Sequence, residues 1–252
     1  MVFNGDVLSG MDLEGILTTH HDKDADVTMH LLNVADPRAF GCVPTDSNGR
    51  VTAFLEKTED PPTNQINAGC YVFKRSVIES IPANRVVSVE RETFPGLLAE
   101  GRLVVGHVDN SYWRDMGRPD DFTRGSSDLV RGIAPSPLIE GKTGESLVDP
   151  SAGIAGGVLL LSGTAVGRGS EVGAGSRLEG TVVFDGVRIE PGAIIHNSII
   201  ASGAHIGANA VIENCVIGEG AHIGARCELL DGMRVFPGVS IPDAGVRFSS
   251  DA

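Results

Sequence analysis

The sequence predicts a mixed α/β domain followed by a parallel β-solenoid. Three observations carry the prediction. Residues 1–130 mix β-rich runs with short segments of helical period, residues 131–147 are punctuated by Gly and Pro, and from Val148 onward aliphatic residues recur every six positions. A helix needs apolar positions every three or four residues and a single strand alternates with period two, so period six fits neither.

The chain opens on a strand, Met1 to Phe3, that runs straight into Asn4-Gly5-Asp6. A buried strand needs a neighbour on each side. The opening therefore reads as the interior of a domain whose N-terminal part is missing. Asp12 precedes an apolar 3.6-period pattern through Leu13, Ile16 and Leu17, and is expected to cap a helix. A strand follows from Asp26 to Val34. Phe40 to Pro44 and Arg50 to Glu56 read as two more strands, joined by the turn Asp46-Ser47-Asn48-Gly49. A polar loop, Lys57 to Gln65, leads to the strand Ile66 to Phe73. Helices are expected at Ser76 to Ser80 and Glu90 to Ala99, and a strand at Leu103 to Val108. That strand delivers Tyr112-Trp113-Arg114-Asp115-Met116-Gly117, after which a last helix runs from Asp120 to Val130. Strands mixed with helices imply α/β. Gly132, Pro135, Pro137, Gly141 and Gly144 mark 131–147 as a linker.

From Val148 to Ile241 the anchors are spaced by six, shortening to five only at 178–183, 195–200 and 212–217, so Val166, Val183, Ile200 and Ile217 lie seventeen apart. Such spacing suits a solenoid in which each hexapeptide gives one short strand, one inward side chain and one corner. Gly after the anchor, as in VGRGSE and IGEGAH, supplies the tight bend. Small residues (Ser170, Ser176, Ala193, Ala204, Ala210, Ala221) take the fifth place. These segments resemble the hexapeptide-repeat proteins, and the resemblance implies a left-handed parallel β-helix over 148–252.

The formal net charge is −13, and both halves are acidic. That excludes the basic surface a nucleic acid would need. The four cysteines, Cys42, Cys70, Cys215 and Cys227, form no C-x-x-C pair and no zinc spacing, and read as buried reduced thiols of a cytoplasmic protein. No apolar run is long enough to span a bilayer, and the start lacks the regions of a signal peptide.

Asp6 stands where a strand meets a loop, the place where open α/β sheets bind ligands. A lone Asp there also serves as a turn former or cap. Asp115, again at a strand end, is the second carboxylate that would make the pair chemical, since two carboxylates can hold one Mg²⁺ that also binds substrate phosphates. Lys57 alone reads as a solvated loop lysine.

Taken in order, FNGDV, FGCVPTD, FLEKTEDP, INAGCYVF and YWRDMGRP, with a repeat domain after them, resemble the sugar-1-phosphate nucleotidyltransferases, nearest their mannose-1-phosphate guanylyltransferase (GDP-mannose pyrophosphorylase) branch. The resemblance implies a partial Rossmann-like nucleotidyltransferase domain with a mixed sheet over 1–130. It implies that Asp6 and Asp115 bind Mg²⁺, that Lys57 holds the sugar phosphate and Glu56 the sugar hydroxyls, that Gly41 and Asn67 line the sugar pocket, and that Trp113 packs near the ring. Lys57 and Asp115 would be catalytic. The implied partners are a sugar 1-phosphate and a nucleotide or nucleotide sugar, with a homo-oligomer built through the β-helix.

One departure stands out. The family's loop of the type G-x-G-x-R-x-x-P-L-T does not precede Asp6, and its backbone N–H groups would serve the triphosphate. The chain alone is therefore expected to bind nucleotide weakly and turn over little. Gly173 to Leu178 superficially matches that loop but lies in the repeat register. Two other functions compete: a non-catalytic partner regulating an intact enzyme, and a hexapeptide acyltransferase using His196, His205 or His222. The second would also need a pantetheine-binding extension.

Overall fold

The computed structural model describes residues 1–55, 57, 59–139 and 141–247. The chain divides into two compact units, Met1–Trp113 and Arg114–Ala252.

In the first unit a four-stranded mixed sheet runs in the order β1 (Val2–Phe3), β4 (Gln65–Phe73), β3 (Val27–Asn33), β5 (Val104–Val108). β1 and β3 are antiparallel to β4, whereas β3 is parallel to β5. β3 is buried along six of its seven residues, the polar Thr28 and His30 among them. β1 lies at the sheet edge, with Val2 and Phe3 exposed. A short strand β2 (Val7–Ser9) follows it. Helix α1 (Leu13–Asp22) starts where expected, the Asp12 carboxylate accepting from Glu14 N at 3.0 Å. Its Ile16 packs with Met11, Cys70 and Val72.

Two expectations are corrected here. Residues 40–44 and 50–55 form no continuous strands, only isolated bridges from Cys42 to Leu55 and Ile66, from Thr45 to Val51 and from Arg50 to Val105. Pro44 has no N–H to offer a ladder, and Val51 N turns to Val104 O. The turn between them is present, with Asp46 Oδ1 accepting from Asn48 N and Arg50 N. After helix α2 (Arg75–Ser80), the helix expected from Glu90 to Ala99 is instead a π-helical turn, Val89–Thr93, followed by α3 (Phe94–Ala99). Pro95, which cannot donate, sits in the first turn of α3 where that costs nothing. Phe94 anchors the turn in the core, its ring 5.4 Å from Phe54 and 5.2 Å from Tyr71.

In β6 (Trp113–Asp115) the chain passes into the second unit. Helix α4 (Pro119–Val130), expected to close the first domain, groups with the solenoid and packs on its strand Thr164–Val166. The first coil strand is Ser146–Val148, and the coils stack as three parallel sheets of six, six and five strands. Val166 pairs with Val183, Val183 with Ile200 and Ile200 with Ile217, the seventeen-residue step of the sequence. The inward anchors from Val166 to Val235 form one buried cluster. All six small fifth-place residues are fully buried. Gly173 is a corner: a Cβ there would lie 2.5 Å from Pro191 N in the next coil.

Candidate sugar-phosphate site

In the first unit several predicted residues converge where three segments cross at Cys42. Cys42 exchanges two backbone hydrogen bonds with Leu55, each 2.9 Å, and bridges Ile66 on its other side. Gly41 is thereby held against the stretch leading to Lys57 and beside the start of β4. A Cβ on Gly41 would stand 3.0 Å from Leu55 O, tight enough that the neighbouring segment would have to give way. Lys57 is exposed just beyond that stretch. Glu56 lies outside the described residues.

Asn67 stands on β4 next to Ile66. Its Nδ2 donates to Tyr71 Oη at 2.7 Å and to Glu90 Oε1 at 2.9 Å, and its Oδ1 accepts from Gly69 N at 3.1 Å. Gly69 has φ +79°, and a Cβ would fall 2.8 Å from Asn4 Nδ2, so Asn4 occupies the space the glycine leaves. Asn4 N also donates to Gly69 O at 2.7 Å, which ties the segment carrying Asp6 to β4. Burial pushes the Tyr71 hydroxyl up to about 12, with the nearby Glu90 carboxylate adding to the rise, so the phenol stays protonated at neutral pH.

Trp113 is half-buried. Its indole Nε1 donates to Ala68 O at 2.9 Å and its ring meets Phe40 edge-on at 5.8 Å, so it packs on the neighbours of both Asn67 and Gly41. Asp6 is exposed between β1 and β2. Asp115 belongs to the second unit, exposed, with Oδ1 accepting from Gly117 N at 2.9 Å. The structure thus brings together Gly41, Asn67, Trp113 and the backbone before Lys57. Asn4, Tyr71 and Glu90, which surround Asn67 here, were not singled out in the sequence; Asn4 and Tyr71 fall in the matching blocks FNGDV and INAGCYVF, whereas Glu90 falls in neither.

The four cysteines are buried and free, and burial raises the thiol of Cys70 to about 11. In the solenoid, His205 Nδ1 lies 2.9 Å from His222 Nδ1 and His205 Nε2 lies 3.3 Å from Glu190 Oε1, a ladder along successive coils. No helix among the described residues is long and apolar enough to cross a membrane.

Residues 1–132 match the family model described as Nucleotidyl transferase, and residues 142–246 match that described as GMPPB C-terminal domain. The chain is 64% identical over 252 residues to the mannose-1-phosphate guanylyltransferase of Mycobacterium tuberculosis, a match covering 100% of this chain and 70% of that protein. It is 36% identical over 183 residues to mannose-1-phosphate guanylyltransferase 1 of Arabidopsis thaliana, covering 70% of this chain and 50% of that protein. Against the mannose-1-phosphate guanylyltransferase catalytic subunit beta of Drosophila melanogaster, identity is 31% over 161 residues, covering 62% of this chain and 43% of that protein.

Proposed function

Because the chain belongs to the nucleotidyltransferase family, we propose that it supplies the sugar-phosphate side of a sugar-1-phosphate nucleotidyltransferase, joining mannose 1-phosphate to GTP. The observation that carries the reading is the crossing at Cys42, which sets Gly41, Asn67 and the backbone before Lys57 side by side with Trp113 packed behind. An amide and a close-lying glycine suit a sugar face, and the exposed Lys57, two residues beyond Leu55, suits a phosphate.

In the proposed reaction a phosphate oxygen of the sugar 1-phosphate bonds to the α-phosphorus of the nucleotide, and the bond from that phosphorus to the pyrophosphate oxygen breaks. The nucleophile is already an anion, so the residues need only position it and neutralise charge. Lys57 would pair with the sugar phosphate, while Asn67 and Gly41 would orient the hexose. Asp6 and Asp115, both exposed carboxylates, are hard oxygen donors of the kind Mg²⁺ takes. Mg²⁺ takes one or two carboxylates and completes its shell with phosphate and water. When held, the ion supplies charge neutralisation at phosphate oxygens. Assembly of copies through the solenoid and a cytosolic location, for which the buried free thiols speak, belong to the same proposal.

Titration calorimetry of mannose 1-phosphate into the chain tests the reading. Wild type is expected to bind, and Lys57→Ala to weaken binding about tenfold or more, about 1.4 kcal/mol. A chain that takes up no hexose 1-phosphate overturns it.

A further inference from the structure

Asn67 would orient the hexose only if its amide presents a fixed end, and Glu90 and Gly69 N together bear on which end. An amide side chain offers two donors and one oxygen with two lone pairs. At Asn67 one donor goes to Tyr71 Oη, the other to Glu90 Oε1, and the oxygen takes Gly69 N. A carboxylate only accepts and a backbone N–H only donates. Turning the amide over would set oxygen against carboxylate and NH₂ against N–H, two repulsive contacts in place of two bonds. What Asn67 keeps for a ligand is one lone pair on Oδ1.

The fold supports this. Glu90 rides on the π-helical turn Val89–Thr93, a conformation that recurs at functional sites. That turn is fixed at both ends: Ser88 Oγ accepts from Arg91 N at 3.2 Å, Glu92 Oε1 accepts from Ser88 N at 3.2 Å, and Phe94 is fully buried against Tyr71. Tyr71, Asn67 and Glu90 therefore stand on one rigid body. The carboxylate of Glu90 is exposed, so holding it there serves no core.

We propose that Glu90 is a positioning residue of the sugar-phosphate site, locking the Asn67 amide so that it reads a hexose hydroxyl as a hydrogen-bond donor. The inference rests on the function proposed above. It makes hexose selectivity, and not phosphate affinity, the property Glu90 controls.

The test is calorimetry on the full chain and on Glu90→Gln and Glu90→Asp, with mannose 1-phosphate, its 2-epimer glucose 1-phosphate and inorganic phosphate as ligands, alongside thermal unfolding. In Glu90→Gln the carboxamide can also donate, so the carboxylate's share of the lock is lost at nearly constant size, while Gly69 N still donates to Asn67 Oδ1. Expected are an affinity for mannose 1-phosphate at least about tenfold weaker, a shrunken mannose-to-glucose ratio, and unchanged phosphate binding and melting; Glu90→Asp keeps part of the ratio. Unchanged hexose affinity and ratio in Glu90→Gln overturn the positioning role alone. Melting and phosphate binding that fall together with hexose binding make Glu90 a structural residue and also overturn it. A wild-type chain that binds no hexose 1-phosphate overturns the functional reading, and this inference with it.

Discussion

His30 is a buried histidine whose surroundings suit only its neutral form. Its Nε2 contacts Asp109 O at 3.1 Å, while Nδ1 is buried with no partner among the described residues. Donation by Nε2–H leaves Nδ1 bare, and protonating it would bury a charge with nothing to accept the hydrogen. Burial accordingly lowers its pKa below the usual 6.5, the Asp109 carbonyl and carboxylate opposing and His107 adding to the fall; His20 is lowered too, again mainly by burial. The unfolded chain then holds more protons than the native one between the depressed folded value and 6.5. Stability is complete above that ordinary value and falls as pH drops through it. The urea midpoint of the first unit, followed by fluorescence of the single tryptophan, Trp113, should be lower at about pH 5.5 than at about pH 7.5. His30→Asn should flatten that slope and leave the share due to His20; a slope identical to wild type would show that His30 does not titrate on unfolding. At this scale the sequence named site residues it could not connect. Asn67 came from a matching block, whereas its partner Glu90 lies 23 positions away and is reached only through a packed turn.

Among elements, the repeats were legible because the anchors face inward and stack on those seventeen or eighteen positions before them, so burial writes itself into the spacing. The bridges around Cys42 were not, because alternating residues suggest ladders that Pro44 and the diversion of Val51 N to Val104 break up. The corners of the solenoid hide a further dependence. Ser170 is fully buried; its Oγ donates to Phe184 O at 2.8 Å and accepts from Val187 N at 3.1 Å, joining its own coil to the next. Thr164 and Ser198 do the same for Thr181 N and Cys215 N. Ser170→Ala leaves a buried N–H without its acceptor, which costs about 1–3 kcal/mol. A urea midpoint in far-ultraviolet dichroism lowered by that energy divided by the slope m is the expected outcome, and an unmoved one would mean that Val187 N finds another acceptor.

Among the described residues, each hydrophobic core cluster lies within one unit. The solenoid cluster draws only on residues from Val148 to Ile241, whereas the three clusters of the first unit draw only on residues from Met11 to Trp113. A repeat array is held by contacts between neighbouring coils, so its stability comes from its own stacking. The Gly- and Pro-rich 131–147 stretch marked a change of architecture, but composition could not show that α4 packs on Thr164–Val166, nor that Ser127 Oγ donates to Ser162 O at 2.5 Å. Both contacts are made by a helix whose amphipathic pattern looks the same whichever sheet it covers. The expectation is that residues 114–252 expressed alone fold, giving a β-rich dichroism spectrum and one cooperative transition. A fragment begun at residue 131 would lack α4 and leave Phe184, stacked 6.3 Å from Phe122, uncovered; it should melt lower than the longer one. An unfolded 114–252 fragment would show that the stacked coils need residues of the first unit, and equal melting of the two fragments would show that α4 adds nothing to them.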